Sequence, residues 1–247
     1  MTSDAEPELP PGLDLMWGKR ARGRKGPKPG LTLDAIVEQA IAIADAEGLA
    51  AVSMARVAKE LGFTTMSLYR YVDNKDELLQ LMWNASATGA PTVEGDDWRT
   101  FLYSWAVAQR AMIDARPWIL EMPIVTPPAG PNSLRWIEQA LTALDETPLS
   151  HGERMGVVGL LSSYALGEAR MSYDVRVAAE RGERAFDYAA VLRAVVEREA
   201  YPALYRTAWS SEIDDPDGSG EDESFRFGLE VILDGIAARV ERARSST

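Results

Sequence analysis

Apolar residues recur at helical spacing along most of this chain, and the runs begin and end with residues that favour helix termini. In the first run, Thr32 is a good N-cap, Asp34 lies in the first turn, and Gly48 follows the last turn. No window alternates apolar and polar residues between turn signals, so no strand is predicted. The predicted helices cover about residues 33–47, 54–61, 65–72, 75–88, 98–115, 132–144, 150–179, 186–200 and 223–242. We therefore predict an all-α protein with nine to ten helices.

The chain divides into three predicted segments. Residues 1–30 contain five prolines and five glycines without helical periodicity, which is typical of a flexible arm. Residues 31–85 hold closely spaced short helices, which indicates one compact unit. Residues 86–247 hold longer helices and form a second, larger helical domain that can bury a sizeable core.

Charge is distributed unevenly along the chain. The net charge is −12, but the first 75 residues hold ten basic and ten acidic residues, so the negative excess lies in residues 76–247. Residues 19–28 of the arm hold six basic and no acidic residues. Such a stretch can be a solvated tail, or it can lie on phosphates or enter a minor groove. We favour DNA contact, by Arg22, Arg24 and Lys25.

Composition excludes several classes of protein. The absence of cysteine excludes a disulfide framework and a thiolate metal site. No apolar run approaches the ~20 residues of a membrane span, and the acidic start of the chain is unlike a secretory signal. The single histidine, His151, has no nucleophile elbow, P-loop or dinucleotide motif beside it. We expect a cytoplasmic protein that is not an enzyme and has no cofactor and no metal.

The stretch most indicative of function is residues 62–75. It predicts a sharp turn, a two-turn helix and the capped start of another helix. Isolated helices this short are marginal in water, so Leu68 and Val72 are assigned to the core that holds the helix in place. Thr65 and Ser67 are then left to present polar groups elsewhere. In a helix-turn-helix, such N-terminal side chains of the second helix contact base edges in the major groove.

This stretch resembles the helix-turn-helix of the tetracycline-repressor (TetR) family of bacterial transcription regulators. The resemblance covers about 50 residues, and its spacing agrees across four helices. The matching residues are Gly48-Leu49, Val57-Ala58, Leu61-Gly62-Phe63, Ser67-Leu68-Tyr69, Tyr71-Val72 and Lys75-Asp76-Glu77-Leu78-Leu79. Two further motifs, Arg116-Pro117-Trp118 and Gly130-Pro131-Asn132, resemble the C-terminal domain of the same family.

The resemblance implies a three-helix DNA-binding domain over residues 31–85 and a ligand-binding and dimerisation domain over residues 86–247. It also implies backbone contacts by Tyr69 and Lys75, and a groove-facing position for Tyr71. Both tyrosines can alternatively be ordinary aromatic core residues. The predicted DNA-binding residues are Arg22, Arg24, Lys25, Ser53, Thr64, Thr65, Met66, Ser67, Tyr69, Arg70, Tyr71 and Lys75.

Large rings and thioethers in the C-terminal part indicate an adaptable apolar pocket, although core filling is the stronger explanation for any single one of them. With the resemblance, they predict a small-molecule site lined by Trp83, Trp105, Met122, Trp136 and Tyr164.

The helix over 150–179 carries Gly156, Gly159 and Gly167 among apolar residues. Glycine is costly inside a helix and is tolerated where another helix approaches closely. We expect this helix and the C-terminal helix to form a homodimer interface, with packing inside one subunit as the alternative.

Together these features predict a homodimeric repressor that binds a pseudo-palindromic operator and is released by a small-molecule effector. The pivot between the DNA-competent form and the effector-bound form is expected at the helix over residues 75–88. An activator or a ligand-blind regulator would share the same sequence features. A helical small-molecule-binding protein or enzyme with a basic tail is the remaining alternative.

Overall fold

A computed structural model describes residues 9–10, 12–19, 30–92, 97–123, 128–180, 188–210 and 220–245. Within these residues the chain forms eleven α-helices and no strand, which confirms the all-α prediction. The helices are α1 (Leu13–Met16), α2 (Leu33–Glu47), α3 (Met54–Glu60), α4 (Thr65–Leu68), α5 (Lys75–Ser86), α6 (Trp98–Ala115), α7 (Pro131–Ala143), α8 (His151–Glu180), α9 (Tyr188–Val195), α10 (Pro202–Ala208) and α11 (Gly220–Arg244). Short 3-10 segments cover Leu49–Ala51 and Pro117–Glu121.

Two of the eleven helices, α1 and α10, have no counterpart among the nine predicted ranges. Helix α1 lies inside the segment predicted to be a flexible arm, where Leu13 and Leu15 are buried and Leu15 joins the N-terminal core. The helix predicted over residues 186–200 ends early, as α9 at Val195, and the unpredicted α10 follows over Pro202–Ala208. Pro202 occupies its first position, where a missing N–H and a fixed φ favour a helix start.

The N-terminal core lies between α2, α3, α4 and α5. Helix α2 begins where Thr32 Oγ1 accepts a hydrogen bond from Ala35 N at 3.1 Å. Helix α5 begins with a capping box, in which Asn74 Oδ1 accepts from Glu77 N at 2.8 Å and Glu77 accepts from Asp73 N at 2.6 Å. These local caps explain why the sequence pattern located both helices.

One part of the N-terminal core comes from far along the chain. Trp118 and Met122, which follow α6, are buried among the side chains of α2 and α5. The Trp118 indole N–H donates to Asp45 Oδ1 at 2.6 Å, and Arg116 Nε donates to the same carboxylate at 3.4 Å. The segment after α6 therefore fastens the two helical units together.

A second junction joins the end of α5 to the start of α7. The Asn132 N–H donates to Asn84 Oδ1 at 3.0 Å, and the Asn132 side chain donates to the Asn84 carbonyl at 2.9 Å. The Trp136 indole donates to the Ala87 carbonyl at 2.9 Å. A Cβ on Gly130 would overlap the Asn84 amide, so only glycine permits this close approach.

Helix α1 lies over the same junction. The Trp17 indole donates to the Ala129 carbonyl at 3.0 Å, and Met16 lies against Gly130. Leu15 meanwhile packs into the N-terminal core. Helix α1 therefore contacts both helical units at the point where α5 meets α7.

The second core lies between α6, α7, α8 and α11, with Leu102, Leu161 and Leu229 fully buried. At the start of α8, hydrogen bonds from Ser150 and then the ion pair with Arg239 of α11 hold the pKa of Glu153 at about 2. Helices α9 and α10 pack mainly on each other. None of the helices in the described ranges has an apolar stretch that could cross a membrane.

The burial of α4 yields a stability prediction. Leu68→Ala removes a fully buried side chain and should lower the free energy of unfolding by about 3 kcal/mol. Met66→Ala, in the same helix, removes a side chain that is 73% exposed and should change it by less than about 0.5 kcal/mol. Urea denaturation of both variants tests this, and equal losses would contradict the assigned faces of α4.

Candidate nucleic-acid interface and ligand site

The turn before α4 is fixed by local hydrogen bonds. Ser53 Oγ accepts from Arg56 N at 3.2 Å and caps α3. Gly62 has φ of +74°, which allows Phe63 N to donate back to the Ala58 carbonyl at 2.9 Å. Arg56 forms ion pairs with Glu47 of α2 and with Glu60 at the end of α3. Ser53, one of the predicted DNA-binding residues, thus has a structural role as the N-cap of α3.

Helix α4 has a buried face and an exposed face. Leu68 and Val72 are fully buried, whereas Met66 is 73% exposed. The hydroxyl groups of Thr64 and Ser67 share a hydrogen bond of 2.9 Å at the start of the helix. Thr64 is exposed, and Thr65 and Ser67 are half-buried. The first turn of α4 therefore presents short polar groups and one thioether to solvent.

The two tyrosines after α4 have different surroundings. Tyr69 is 43% exposed, whereas Tyr71 is half-buried and packs against the N-terminal core. Arg70 and Lys75 are exposed and make no ion pair with any described residue. Lys75 is also the first residue of α5, where free backbone N–H groups add to its positive charge.

Three of the predicted DNA-binding residues, Arg22, Arg24 and Lys25, lie outside the described residues. The last residue of the predicted arm is described, however. A Cβ on Gly30 would lie 3.1 Å from the Phe63 ring, so the end of the arm lies beside the turn that precedes α4. No sequence motif indicated this contact.

The five predicted pocket residues do not gather in one place. Trp105 and Trp136 meet edge to face in the second core, with ring centroids 6.0 Å apart and an interplanar angle of 64°. Trp83 and Met122 pack in or against the N-terminal core. Tyr164 of α8 packs against the same second core as Trp105 and Trp136.

The direct polar and ring contacts of Tyr164 are with α11. Its ring stacks on Phe225 with centroids 5.5 Å apart, and its hydroxyl donates to the Phe225 carbonyl at 3.0 Å. Burial, followed by the nearby carboxylate of Glu168, raises the pKa of Tyr164, so the phenol stays neutral at pH 7.

Polar groups that the sequence analysis did not select also lie near these aromatic residues. Arg110 of α6 is buried, donates to Asp114 at 2.8 Å and to Ser172 at 2.9 Å, and lies 5.4 Å from the Phe225 ring centroid. Four buried atoms have no hydrogen-bond partner among the described residues. They are Arg110 Nη1, Gln109 Oε1, Ser86 Oγ and Ser133 Oγ.

Ser86 belongs to α5, Gln109 and Arg110 belong to α6, and Ser133 belongs to α7; α6 and α7 are the helices that carry Trp105 and Trp136. An unsatisfied buried polar atom costs about 1–3 kcal/mol, and a bound polar molecule could recover this cost. The sequence signal that could have identified these buried polar groups is the pair Gln109 and Arg110, which lies on the otherwise apolar side of a long helix.

Two family profiles together match most of the chain. Residues 36–82 match the profile of bacterial regulatory proteins of the tetR family. Residues 90–240, more than half of the chain, match the profile of the tetracyclin repressor-like C-terminal domain.

Curated transcription regulators are similar to this chain over most of its length. The HTH-type transcriptional repressor DrrR1 of Streptomyces coeruleorubidus is 37% identical over 243 residues, which covers 95% of this chain and 88% of DrrR1. An HTH-type transcriptional regulator of Saccharopolyspora erythraea is 30% identical over 214 residues, which covers 85% of this chain and 86% of that protein.

Solved structures of ActR from Streptomyces coelicolor share the fold. Apo ActR matches with a TM-score of 0.72 and 31% identity, covering 87% of this chain and 99% of the ActR chain. ActR in complex with actinorhodin matches with a TM-score of 0.72 and 30% identity, covering 85% of this chain and 97% of the ActR chain. With both profiles, these relatives and the exposed first turn of α4, the chain belongs to the TetR family of bacterial DNA-binding transcription regulators, which are not enzymes.

Proposed function

We propose that this regulator is a homodimeric repressor of the bacterial cytoplasm. It binds a pseudo-palindromic operator through residues 31–85, and a small-molecule effector bound within residues 86–247 releases it. The observation that carries the proposal is α4, whose first turn is exposed while Leu68 is fully buried. The similarity to the repressor DrrR1, and to ActR in complex with actinorhodin, supports repression and response to a ligand.

The exposed face of α4 fits the major groove. The hydroxyl groups of Thr64, Thr65 and Ser67 can donate to or accept from base edges, and the exposed Met66 side chain can contact a thymine methyl group. These contacts discriminate weakly between bases, because a hydroxyl group suits several base edges. Specificity then depends on two half-sites read together.

Phosphate contacts surround this face. Tyr69, Arg70 and Lys75 are exposed beside α4, and Lys75 stands at the N-terminus of α5, which itself attracts anions. Tyr71 contributes the exposed edge of its half-buried ring. Gly30 lies against Phe63, beside this surface. We propose that Arg22, Arg24 and Lys25, which precede Gly30 in the sequence, contact the backbone or minor groove.

The glycines of α8 support a dimer. Gly156, Gly159 and Gly167 are exposed, and a Cβ at any of them would meet no described atom within 4 Å. Packing inside the subunit therefore does not account for them. The same face carries Met155 and Leu160, each 50% exposed. A partner helix approaching this face would explain both the glycines and the exposed apolar side chains.

Helix α11 extends this face. Phe227 is 73% exposed and Val231 is 53% exposed, and they are followed at helical spacing by Gly235 and Ala238. A four-helix contact between α8 and α11 of two subunits would bury these side chains. It would also fix the distance between the two α4 helices at one turn of duplex, about 34–36 Å.

The effector would act through the junction of α5 and α7. The groups available to a polar aromatic molecule there are the rings of Trp105 and Trp136 and two atoms without a hydrogen-bond partner among the described residues, Gln109 Oε1 and Arg110 Nη1. An effector that binds better to a form with a shifted α7 would move α5 through the Asn132 hydrogen bonds to Asn84. The population would then leave the DNA-competent form.

Operator binding and its dependence on salt test the DNA interface. Wild-type protein should bind a labelled duplex from the DNA flanking its own gene, as measured by fluorescence anisotropy at several salt concentrations. Lys75→Ala should flatten the slope of log K against log salt by about 0.9 per subunit, and about 1.8 per dimer, because two phosphate contacts are lost. Arg135→Ala removes an exposed charge from α7 and is the matched control. An unchanged slope for Lys75→Ala would refute its contact with phosphate.

The α8 interface is tested by Gly159→Leu. The subunit should fold normally, since the new Cβ meets no described atom within 4 Å and leucine has a higher helix propensity than glycine. The dimer should dissociate, so light scattering should give the monomer mass of 27.1 kDa and operator affinity should fall. Ala111→Leu, at an exposed position on α6, is the control. A Gly159→Leu protein that stays dimeric would place the interface elsewhere.

Effector release is tested with actinorhodin, the compound bound by ActR in one solved structure. Actinorhodin should dissociate the operator complex of the wild-type protein. Asn132→Ala should leave operator affinity within about twofold and raise the concentration for half-release at least about fivefold, because it weakens the coupling. Arg135→Ala should respond like the wild type. Equal responses of Asn132→Ala and wild type would exclude this junction as the route of coupling.

A further inference from the structure

The hairpin of α9 and α10 carries a groove that neither the DNA interface nor the proposed effector region uses. The groove has a volume of about 640 Å³, within the usual range of small-molecule sites of about 300–1,000 Å³. Its lining residues are Arg198, Glu199, Pro202, Tyr205, Arg206 and Trp209. Basic and aromatic residues thus dominate the lining.

Three of these side chains form a layered stack. The rings of Tyr205 and Trp209, one turn apart in sequence, lie nearly parallel, with centroids 4.1 Å apart and an interplanar angle of 18°. The guanidinium carbon of Arg198 lies 5.9 Å from the Tyr205 ring centroid. Trp209 remains 46% exposed, so its indole offers free surface to a further ring.

The stack rests on a fixed base. Arg193 Nε of α9 donates to the Ala208 carbonyl at 2.6 Å, and Ala208 is fully buried beside Leu192 and Val196. This contact holds the end of α10, and therefore Trp209, against α9. A preformed surface lowers the ordering cost of binding.

The charge of the groove contrasts with its surroundings. Residues 76–247 carry the entire negative excess of the chain, yet the groove has two arginines and one glutamate. Arg198 and Arg206 are exposed, and neither forms an ion pair with a described residue. Arg206 lies three residues before Trp209, on a neighbouring part of the α10 surface. Its guanidinium group can therefore hold an anion beside the indole, in the bidentate manner of arginine and carboxylate.

We propose that this groove binds planar aromatic anions. The ring of the ligand stacks on Trp209, and its carboxylate or sulfonate group binds the guanidinium group of Arg206, with Arg198 adding positive charge. A neutral aromatic molecule lacks the second interaction, and an aliphatic acid lacks the first. The site is distinct from the region of Trp105 and Trp136.

The test uses 1-naphthoate and the neutral 1-naphthalenemethanol as a matched pair of probes on the full chain. Saturation-transfer NMR titrations should give a Kd of about 1 mM or tighter for naphthoate, and a value at least about tenfold weaker for the alcohol. Arg206→Gln should weaken the affinity for naphthoate about tenfold and leave the affinity for the alcohol unchanged. Trp209→Leu should abolish binding of both probes here, whereas Trp209→Phe should retain it.

Arg135→Gln removes an exposed arginine of α7 and should bind naphthoate like the wild type. Circular dichroism of each variant confirms folding. Any of three results with these probes and site variants would overturn the proposal: no naphthoate binding up to about 10 mM, equal binding of naphthoate and the alcohol, or wild-type affinity for naphthoate in either Arg206→Gln or Trp209→Leu. Equal weakening by Arg135→Gln would also overturn it, because the attraction would then be unspecific. Operator binding does not enter these measurements, so they stand apart from the proposed repressor function.

Discussion

Burial of Leu68 and Val72 is the interaction on which the DNA interface depends. Helix α4 has only four residues, too few to be stable alone, so its position is set by the side chains that enclose these two. Trp118 and Met122 from beyond α6 belong to the same buried core as these two residues. The core that supports α4 is therefore completed by residues of the domain that we propose binds the effector.

Helix α5 connects the proposed DNA-binding surface to the proposed effector region. Its 12 residues span about 18 Å, from Lys75 beside α4 to the junction with α7. At that junction Asn84 bonds Asn132, and Gly130 leaves no space for a side chain to accommodate displacement. A tightly packed junction of this kind passes a shift of α7 into α5 instead of absorbing it.

The sequence predicted features that are determined locally and missed those determined at a distance. Helices α2 and α5 were located because Thr32 and Asn74 cap them within three residues. Helix α1 was missed because its stability comes from burial against residues far along the chain. The pocket prediction met the same limit: apolar character does not reveal which core a residue joins, so Met122 was grouped with Trp105 although they lie in different cores. The family could be identified from the sequence because its motif residues recur with the same spacing across four helices, and such a match combines many local features.

The glycines of α8 link stability to recognition. Each glycine inside a helix costs up to about 1 kcal/mol relative to alanine, and Gly156, Gly159 and Gly167 gain no close contact within the described subunit in return. In the dimer that we propose, a close helix partner would offset that cost and would also set the spacing of the two α4 helices. Because the hydroxyl groups and the thioether on the first turn of α4 would discriminate weakly between bases, this spacing would supply much of the sequence selectivity. The proposed dimer interface would then contribute to operator recognition as much as α4 itself.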